Sequence, residues 1–345
     1  MKALVLQEYK RFAYEEVEPP AVGPGEVLVA VKACGICGSD VHGMDGSSGR
    51  RRPPIIMGHE AAGVIAETGP GVEGWSAGER VTFDSTVYCG ECHYCRAGQI
   101  NLCDRRRVLG VSCEDYRRHG AFADYVTVPA RILYRVPAAL PIEHAALVEP
   151  TSVAFHAVRR TPIALNDTAV VVGAGMIGLL VIQALRLAGC GRVIAVDIAP
   201  GKLDMAVKLG ATETVNSGAS DAVAEILRLT GGRGADVVAE AVGVAATVEL
   251  AMRCARKGGA VMLVGNVTAT VPFPLQVAVT RELSLYGSCG SCGEYTACLE
   301  TMARGDLEVG PLISAVAPLA EGPQWFDRLY RKEPGLVKVI LAPGG

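Results

Sequence analysis

Two textures of apolar and polar positions divide the chain. Up to about residue 155, short β-branched runs such as Val27–Val31, Gly63–Glu67 and Tyr125–Val128 alternate with Gly and Pro turns. That texture predicts a β-rich, barrel-like domain with few helices. From about residue 168 the order becomes strand, glycine turn, helix, repeated. The runs Ala169–Val172, Val193–Asp197, Asp236–Ala239, Ala260–Val264 and Leu283–Tyr286 are largely apolar, with helical segments between them. Strands apolar on both faces that alternate with helices predict a parallel sheet covered on both sides, a doubly wound α/β fold. The helical stretch 293–304 and the run Leu336–Leu341 have no place in that sheet, so the C-terminus is expected to return to the first domain.

Size and composition agree with two domains and remove several function classes. At 345 residues the chain exceeds the roughly 250–300 residues at which a single core stops growing. The most apolar stretch, Met176–Gly189, is broken by Gln183 and Arg186 and is shorter than the ~20 residues of a membrane span. Met1–Lys10 turns polar before a signal-peptide apolar region can form, which leads to the expectation of a cytoplasmic protein. Twelve cysteines fit that compartment if most are ligands or buried thiols. A net charge of −3 argues against nucleic-acid binding, and the clusters Arg50–Arg52 and Arg105–Arg107 are read as solvated loop faces.

Candidate chemistry begins with four cysteines. Cys89, Cys92 and Cys95 stand two residues apart, and seven intervening residues lead to Cys103. This is thiolate spacing for one tetrahedral zinc, and four sulfurs close the shell, so that ion is structural and offers no position to substrate. Farther on, Gly173-Ala174-Gly175-Met176-Ile177-Gly178 follows one predicted strand and opens a predicted helix. In that context the motif is a dinucleotide site. The first glycine makes the turn, the second admits the pyrophosphate, the third packs helix on strand, and the helix N-terminus faces the phosphates. Asp197 ends the next strand, where a carboxylate accepts hydrogen bonds from the adenosine ribose and repels a 2′-phosphate; this predicts NAD over NADP, with Lys202 near the ribose edge. Val264 and Ser288, after later strands, complete the expected cofactor residues.

A second metal centre is suggested by Cys37 and His59, with Ser39, Asp40, His42 and Glu60 beside them. Taken singly, these residues leave other readings open. His59 can be a core histidine, and Cys34 and Cys37 can be a redox pair, although a thioredoxin-like context is lacking. Cys289 and Cys292 form one more such pair, in a glycine-rich turn, and read as packing or pocket-lining residues.

Taken together, the run Cys37-Gly38-Ser39-Asp40-Val41-His42, the triplet Gly58-His59-Glu60, the four-cysteine lobe, Glu149-Pro150 and the glycine fingerprint resemble the zinc-dependent medium-chain dehydrogenase/reductase family. They occur in that family's order, and the resemblance covers essentially the whole chain. It is nearest to the branch of sorbitol, threonine and galactitol-phosphate dehydrogenases, because Glu-Pro stands where other alcohol dehydrogenases of the family place a cysteine. The resemblance implies a GroES-like barrel domain (1–155 and 291–345, with the structural zinc lobe at 88–104) and a Rossmann domain (156–290). It implies two zinc ions per chain, one catalytic and one structural, and NAD. Cys37 and His59 would bind the catalytic zinc, Glu60 and Glu149 would compete for the remaining protein position, and Asp40 would fix the His59 ring. Ser39 and His42 would relay the proton, and Glu149 is ligand or base. The implied reaction oxidises a secondary alcohol of a polyol, sugar alcohol or sugar alcohol phosphate to a ketone, with threonine or 2,3-butanediol oxidation as the alternative. A zinc-free NADPH quinone or enoyl reductase and a non-catalytic redox sensor are the weaker readings. Gly43 departs from the aromatic residue that sorbitol dehydrogenases tend to place after the relay histidine, so Arg50–Arg52 become candidates for binding a substrate phosphate. A homodimer or homotetramer is expected by analogy.

Overall fold

The computed structural model describes residues 1–112 and 116–344. The chain divides into two compact units, Met1–Glu149 with Tyr295–Gly345, and Pro150–Glu294.

The first unit is built on the strand Glu26–Gly35, whose alternating residues Val27, Val29 and Val31 enter the core while their neighbours stay partly exposed. Along one edge it pairs antiparallel with Glu60–Thr68, and along the other with Tyr125–Pro129 and, near its end, Lys338–Ala342. Arg80–Phe83, Leu133–Arg135 and Ile313–Pro318 extend this sheet to seven strands. The C-terminal strand thus joins the N-terminal sheet, as the run Leu336–Leu341 suggested. A smaller sheet, formed by Lys2–Glu8, Arg11–Glu16 and Ile55–Ile56, shares the same core. Two registers matter for chemistry. Gly35 stands opposite Glu60, and Ile340 opposite Gly35, so residues just past Gly35, just before Glu60 and just before Ile340 converge on one corner of the sheet.

The second unit is a six-stranded parallel sheet. Its order is Glu213–Asn216, Arg192–Asp197, Thr168–Val172, Ala235–Glu240, Ala255–Leu263, Ser284–Gly287. In chain order this is 3-2-1-4-5-6, with the reversal between the first and fourth strands, where this architecture places its ligand crevice. The hydrophobic pattern does not reveal Glu213–Asn216, because an edge strand reading Glu-Thr-Val-Asn has only Val215 to bury. Ala255–Leu263 begins earlier than its apolar run, through the polar Arg256 and Lys257. Ser284–Gly287 is largely exposed, so the last strand is not covered on both faces.

Candidate functional site

The registers explain why Cys37, His59 and Glu60 meet. Cys37 leaves the strand two residues past Gly35 and caps the helix Gly38–Gly43, its Sγ accepting from Ser39 N at 3.5 Å. His59 and Glu60 open the paired strand. The ligand atoms of the three residues lie within 4.8 Å of one another, and a thiolate, an imidazole and a carboxylate form a donor set suited to zinc with a position left open. Glu60 lies directly over Gly35, where a Cβ would come within 2.3 Å of Glu60 Oε2. Lys338, brought in by the C-terminal strand, donates to Glu60 Oε1 at 2.9 Å, Glu60 Oε2 at 2.6 Å and the Ile36 carbonyl at 3.0 Å. Burial lowers the Lys338 pKa, but the charges of Glu60, Cys37 and Glu149 and the hydrogen bond to Glu60 together outweigh it and raise the value.

Glu149 lies outside that three-residue group. It is nevertheless close enough to respond to it. Burial, reinforced by the charges of Glu60 and Asp84 and opposed by that of His59, pushes its carboxyl up to about 7; Ser85 Oγ approaches its Oε1 at 3.5 Å.

Asp40 is fully buried. Its Oδ1 lies 3.4 Å from His59 Nδ1 and 3.0 Å from Arg51 Nη2, and its Oδ2 accepts from Cys37 N at 3.4 Å. Burial opposes its charge, yet His59 and Arg51 outweigh the penalty and hold it at about 2. With Nδ1 toward Asp40, Nε2 is the His59 nitrogen left for an ion. Ser39 and His42, three residues apart on the short helix and hence on one face, are both exposed. Arg51 corrects one expectation: it is 3% exposed and committed to Asp40, so it is neither a solvated loop residue nor open to a substrate phosphate. Cys34 is fully buried, and burial raises its thiol well above the ordinary value, which removes the redox-pair reading for Cys34 and Cys37.

The four cysteines of the lobe form a second group with sulfurs within 4.8 Å of one another. Tetrahedral zinc with bonds of about 2.3 Å spaces its sulfurs about 3.8 Å apart; Cys89 Sγ and Cys95 Sγ are 3.9 Å apart. Backbone N–H groups of Cys89, Cys92 and Cys95 point at the sulfurs of Cys103, Cys89 and Cys92 at 3.3, 3.4 and 3.5 Å, which favours thiolates. Cys289 and Cys292 are in neither group; Cys289 is exposed, so it is not a packing residue of the second unit.

In the second unit, Gly173 has φ +97°, a conformation that favours glycine. A Cβ on Gly178 would come within 1.8 Å of Gly173 O, whereas one on Gly175 would meet nothing within 4 Å. The third glycine therefore serves helix packing, and the space over the second is clear for a ligand. No side chain caps the helix Met176–Leu187, leaving its first N–H groups to an anion. Asp197 accepts from Ala174 N at 2.8 Å and Ala199 N at 3.0 Å, and Lys202 Nζ stands 3.9 Å from it. The residues fit a dinucleotide. Val264 N and Gly265 N donate to Glu240 O at 2.9 and 3.0 Å. Ser288 N donates to Leu263 O at 3.0 Å.

Sequence reasoning missed three residues. Lys338 carried a signal, a lysine inside a buried apolar run, which needs a partner. Arg51 carried none beyond its neighbour in space, Gly43. Glu240 is fully buried at the end of its strand, its Oε1 accepting from Val242 N at 2.9 Å and Gly243 N at 2.8 Å; it holds the turn against which Gly173 packs.

Comparison with known proteins agrees with this geometry. The alcohol dehydrogenase GroES-like domain matches residues 23–138, and the zinc-binding dehydrogenase family matches residues 177–304. Sorbitol dehydrogenase of Bacillus subtilis is 33% identical over 99% of this chain and 97% of its own. Among solved structures, a putative zinc-binding dehydrogenase from Sinorhizobium meliloti bound to NADP superimposes with a TM-score of 0.91 at 35% identity, covering 99% of both chains. Galactitol-1-phosphate dehydrogenase from Escherichia coli gives a TM-score of 0.91 at 29% identity, covering 99% of each chain.

Proposed function

The chain belongs to the zinc-binding alcohol dehydrogenases, in their polyol dehydrogenase branch, and from that premise we propose that it oxidises a secondary hydroxyl of a polyol, free or phosphorylated, to a ketone. The observation that carries this reading is the convergence of Cys37, His59 and Glu60. When bound, zinc supplies a Lewis acid that eases loss of the hydroxyl proton, and NAD(P) supplies the hydride acceptor. Cys37 and His59 would hold the catalytic ion, with Glu60 as third protein ligand and Glu149 as its competitor for that position. Ser39 Oγ accepts the alcohol's proton as its own passes to His42 and then to solvent. The four cysteines hold the structural ion.

In the second unit Gly173, Gly175 and Gly178 shape the turn, and the N–H groups of Met176 and Ile177 take the pyrophosphate. Val264 and Ser288 border the cofactor. Asp197 faces the ribose, and its negative charge favours NAD over NADP, with Lys202 at 3.9 Å from Asp197 beside the ribose edge. Leu285 is exposed on the edge strand Ser284–Gly287, and Leu275 and Val279 are exposed on the helix Leu275–Thr280 that precedes it; an open edge with apolar neighbours favours pairing with a second copy of the chain. No described helix is long and apolar enough to cross a membrane, and cysteines that stay outside disulfides among the described residues suit the cytosol.

The test is cofactor reduction by zinc-loaded protein with free polyols, polyol phosphates, 2,3-butanediol and threonine, each with NAD and NADP. Reduction of NAD by a polyol class supports the proposal. Turnover of threonine or butanediol alone overturns the substrate assignment, and failure with every class overturns the catalytic one.

A further inference from the structure

The helix Gly38–Gly43 carries two working faces. Ser39 and His42 are exposed, while Asp40 and Gly43, also three residues apart, are buried. On the buried face, Asp40 and Gly43 both meet Arg51. Its Nη2 stands 3.0 Å from Asp40 Oδ1 and donates to Ser39 Oγ at 3.4 Å. Its stem runs across Gly43 so closely that a Cβ at position 43 would lie 2.4 Å from Arg51 Cγ and 3.4 Å from both Arg51 Cβ and Nε. A guanidinium buried to 3% exposure, with no hydrogen-bond partner for its Nε, is costly to desolvate, so its position requires a compensating role.

The shared oxygen defines that role. Asp40 Oδ1 faces both Arg51 and His59 Nδ1, the latter at 3.4 Å without a well-aligned hydrogen bond, while Asp40 Oδ2 accepts from the backbone of Cys37. Asp40 therefore touches both residues assigned to the catalytic ion, and Arg51 fixes Asp40. The same guanidinium donates to Ser39 Oγ, which occupies one lone pair of the hydroxyl. Its own hydrogen and its other lone pair are then left for the alcohol and for His42.

We propose that Arg51 is a positioning residue of the dehydrogenase, paired with Gly43: the guanidinium orients His59 through Asp40 and Ser39 directly, and the arginine stem requires glycine at 43. This rests on the assignment of Cys37 and His59 to the catalytic ion. It gives a steric reason for the absence of an aromatic side chain after His42. A side chain at 43 displaces the stem of an arginine at 51, so the effects of the two positions are coupled.

The experiment uses full-length protein refilled with cobalt(II), whose visible spectrum reports ligand geometry at each site. Three quantities are read: the spectrum, the rate at which a chelator removes the ion, and kcat. For Arg51→Met we expect an altered spectrum for the Cys37–His59 site only, 10- to 100-fold faster metal loss there or a comparable loss of kcat, and a four-cysteine site unchanged. R51K, which keeps the charge but not the fork, recovers part of the loss. In spectrum and metal release, Asp40→Asn combined with R51M is expected to be no worse than D40N alone, because Arg51 reaches His59 only through Asp40, whereas kcat falls further through the lost contact with Ser39.

Gly43→Ala provides an independent variant. Gly43 has no positive φ, and helix propensity alone favours Ala, yet displacement of the arginine stem is expected to mimic R51M in milder form. In the R51M background the same change becomes harmless. R51M and G43A proteins with spectrum, metal release and kcat within about twofold of wild type would overturn the proposal. A wild-type chain that takes up metal only at the four cysteines would overturn the underlying metal assignment, and the proposal with it.

Discussion

Replacing Lys338 by Met removes a buried ammonium and leaves its partner in place. Lys338 is 3% exposed and Glu60 1% exposed, with Nζ to carboxylate distances of 2.9 and 2.6 Å and a further hydrogen bond to the Ile36 carbonyl. Met supplies no charge and no donor at that position, so Glu60 loses its compensating cation. Breaking one side of a buried pair costs about 3–5 kcal/mol. In a folding unit of this size 1 kcal/mol moves Tm by about 2–4 °C, so the zinc-free variant should melt about 6–20 °C below the zinc-free wild type. Scanning calorimetry of the first unit's transition is the assay, because two units need not melt together. K338M combined with Glu60→Gln removes both charges and should recover most of the loss. Zinc provides a second comparison: an ion bonded to Glu60 replaces the missing ammonium, so the deficit should narrow on zinc loading. A K338M chain melting within about 2 °C of wild type would refute the argument for the pair. A deficit unaffected by zinc would exclude Glu60 as ligand and leave that position to Glu149.

Two further predictions concern other parts of the molecule. Gly178→Ala places a Cβ 1.8 Å from Gly173 O and should cost about 1–3 kcal/mol of stability as well as cofactor affinity. Gly175→Ala has clear space and should lower affinity alone, which cofactor titration and melting together distinguish; equal stability losses would contradict the roles assigned to the glycines. His119 is exposed but its Nδ1 accepts from Ile56 N at 3.2 Å, and partial desolvation of the ring, with the charge of Arg117 adding, lowers its pKa below 6.5. A lowered histidine pKa means that the unfolded chain takes up the proton first, so stability present above about pH 6.5 falls as pH drops through that value. His119→Gln keeps an acceptor without the titration. Its stability should fall less between pH 7 and pH 5.5, and identical pH profiles would refute the assignment.

Local signals carried much of this account. The glycine fingerprint and the cysteine spacing are motifs in which a few neighbouring residues dictate geometry, and the apolar runs from Ala169 to Leu263 marked the central strands. Three kinds of feature escaped. Short edge strands such as Glu213–Asn216 bury too little to leave a periodic trace. Arg51 looked like one of three loop arginines, because nothing in the run Arg50–Arg52 states which side chain turns inward toward Asp40. Lys338 and Glu60 are 278 residues apart in sequence, and only the pairing of the C-terminal strand with Glu26–Gly35 joins them. Glu60 and Glu149 were indistinguishable as ligands from sequence, since their difference lies in distance to Cys37 and His59.

The central claim is that the corner formed by Cys37, His59 and an acidic side chain holds a catalytic zinc distinct from the one in the cysteine lobe. Anomalous diffraction from crystals of zinc-replete protein, recorded on both sides of the zinc edge, tests it directly. Two peaks per chain are expected, one among Cys89, Cys92, Cys95 and Cys103 and one bonded to Cys37 and His59. A single peak, confined to the four cysteines, would contradict it.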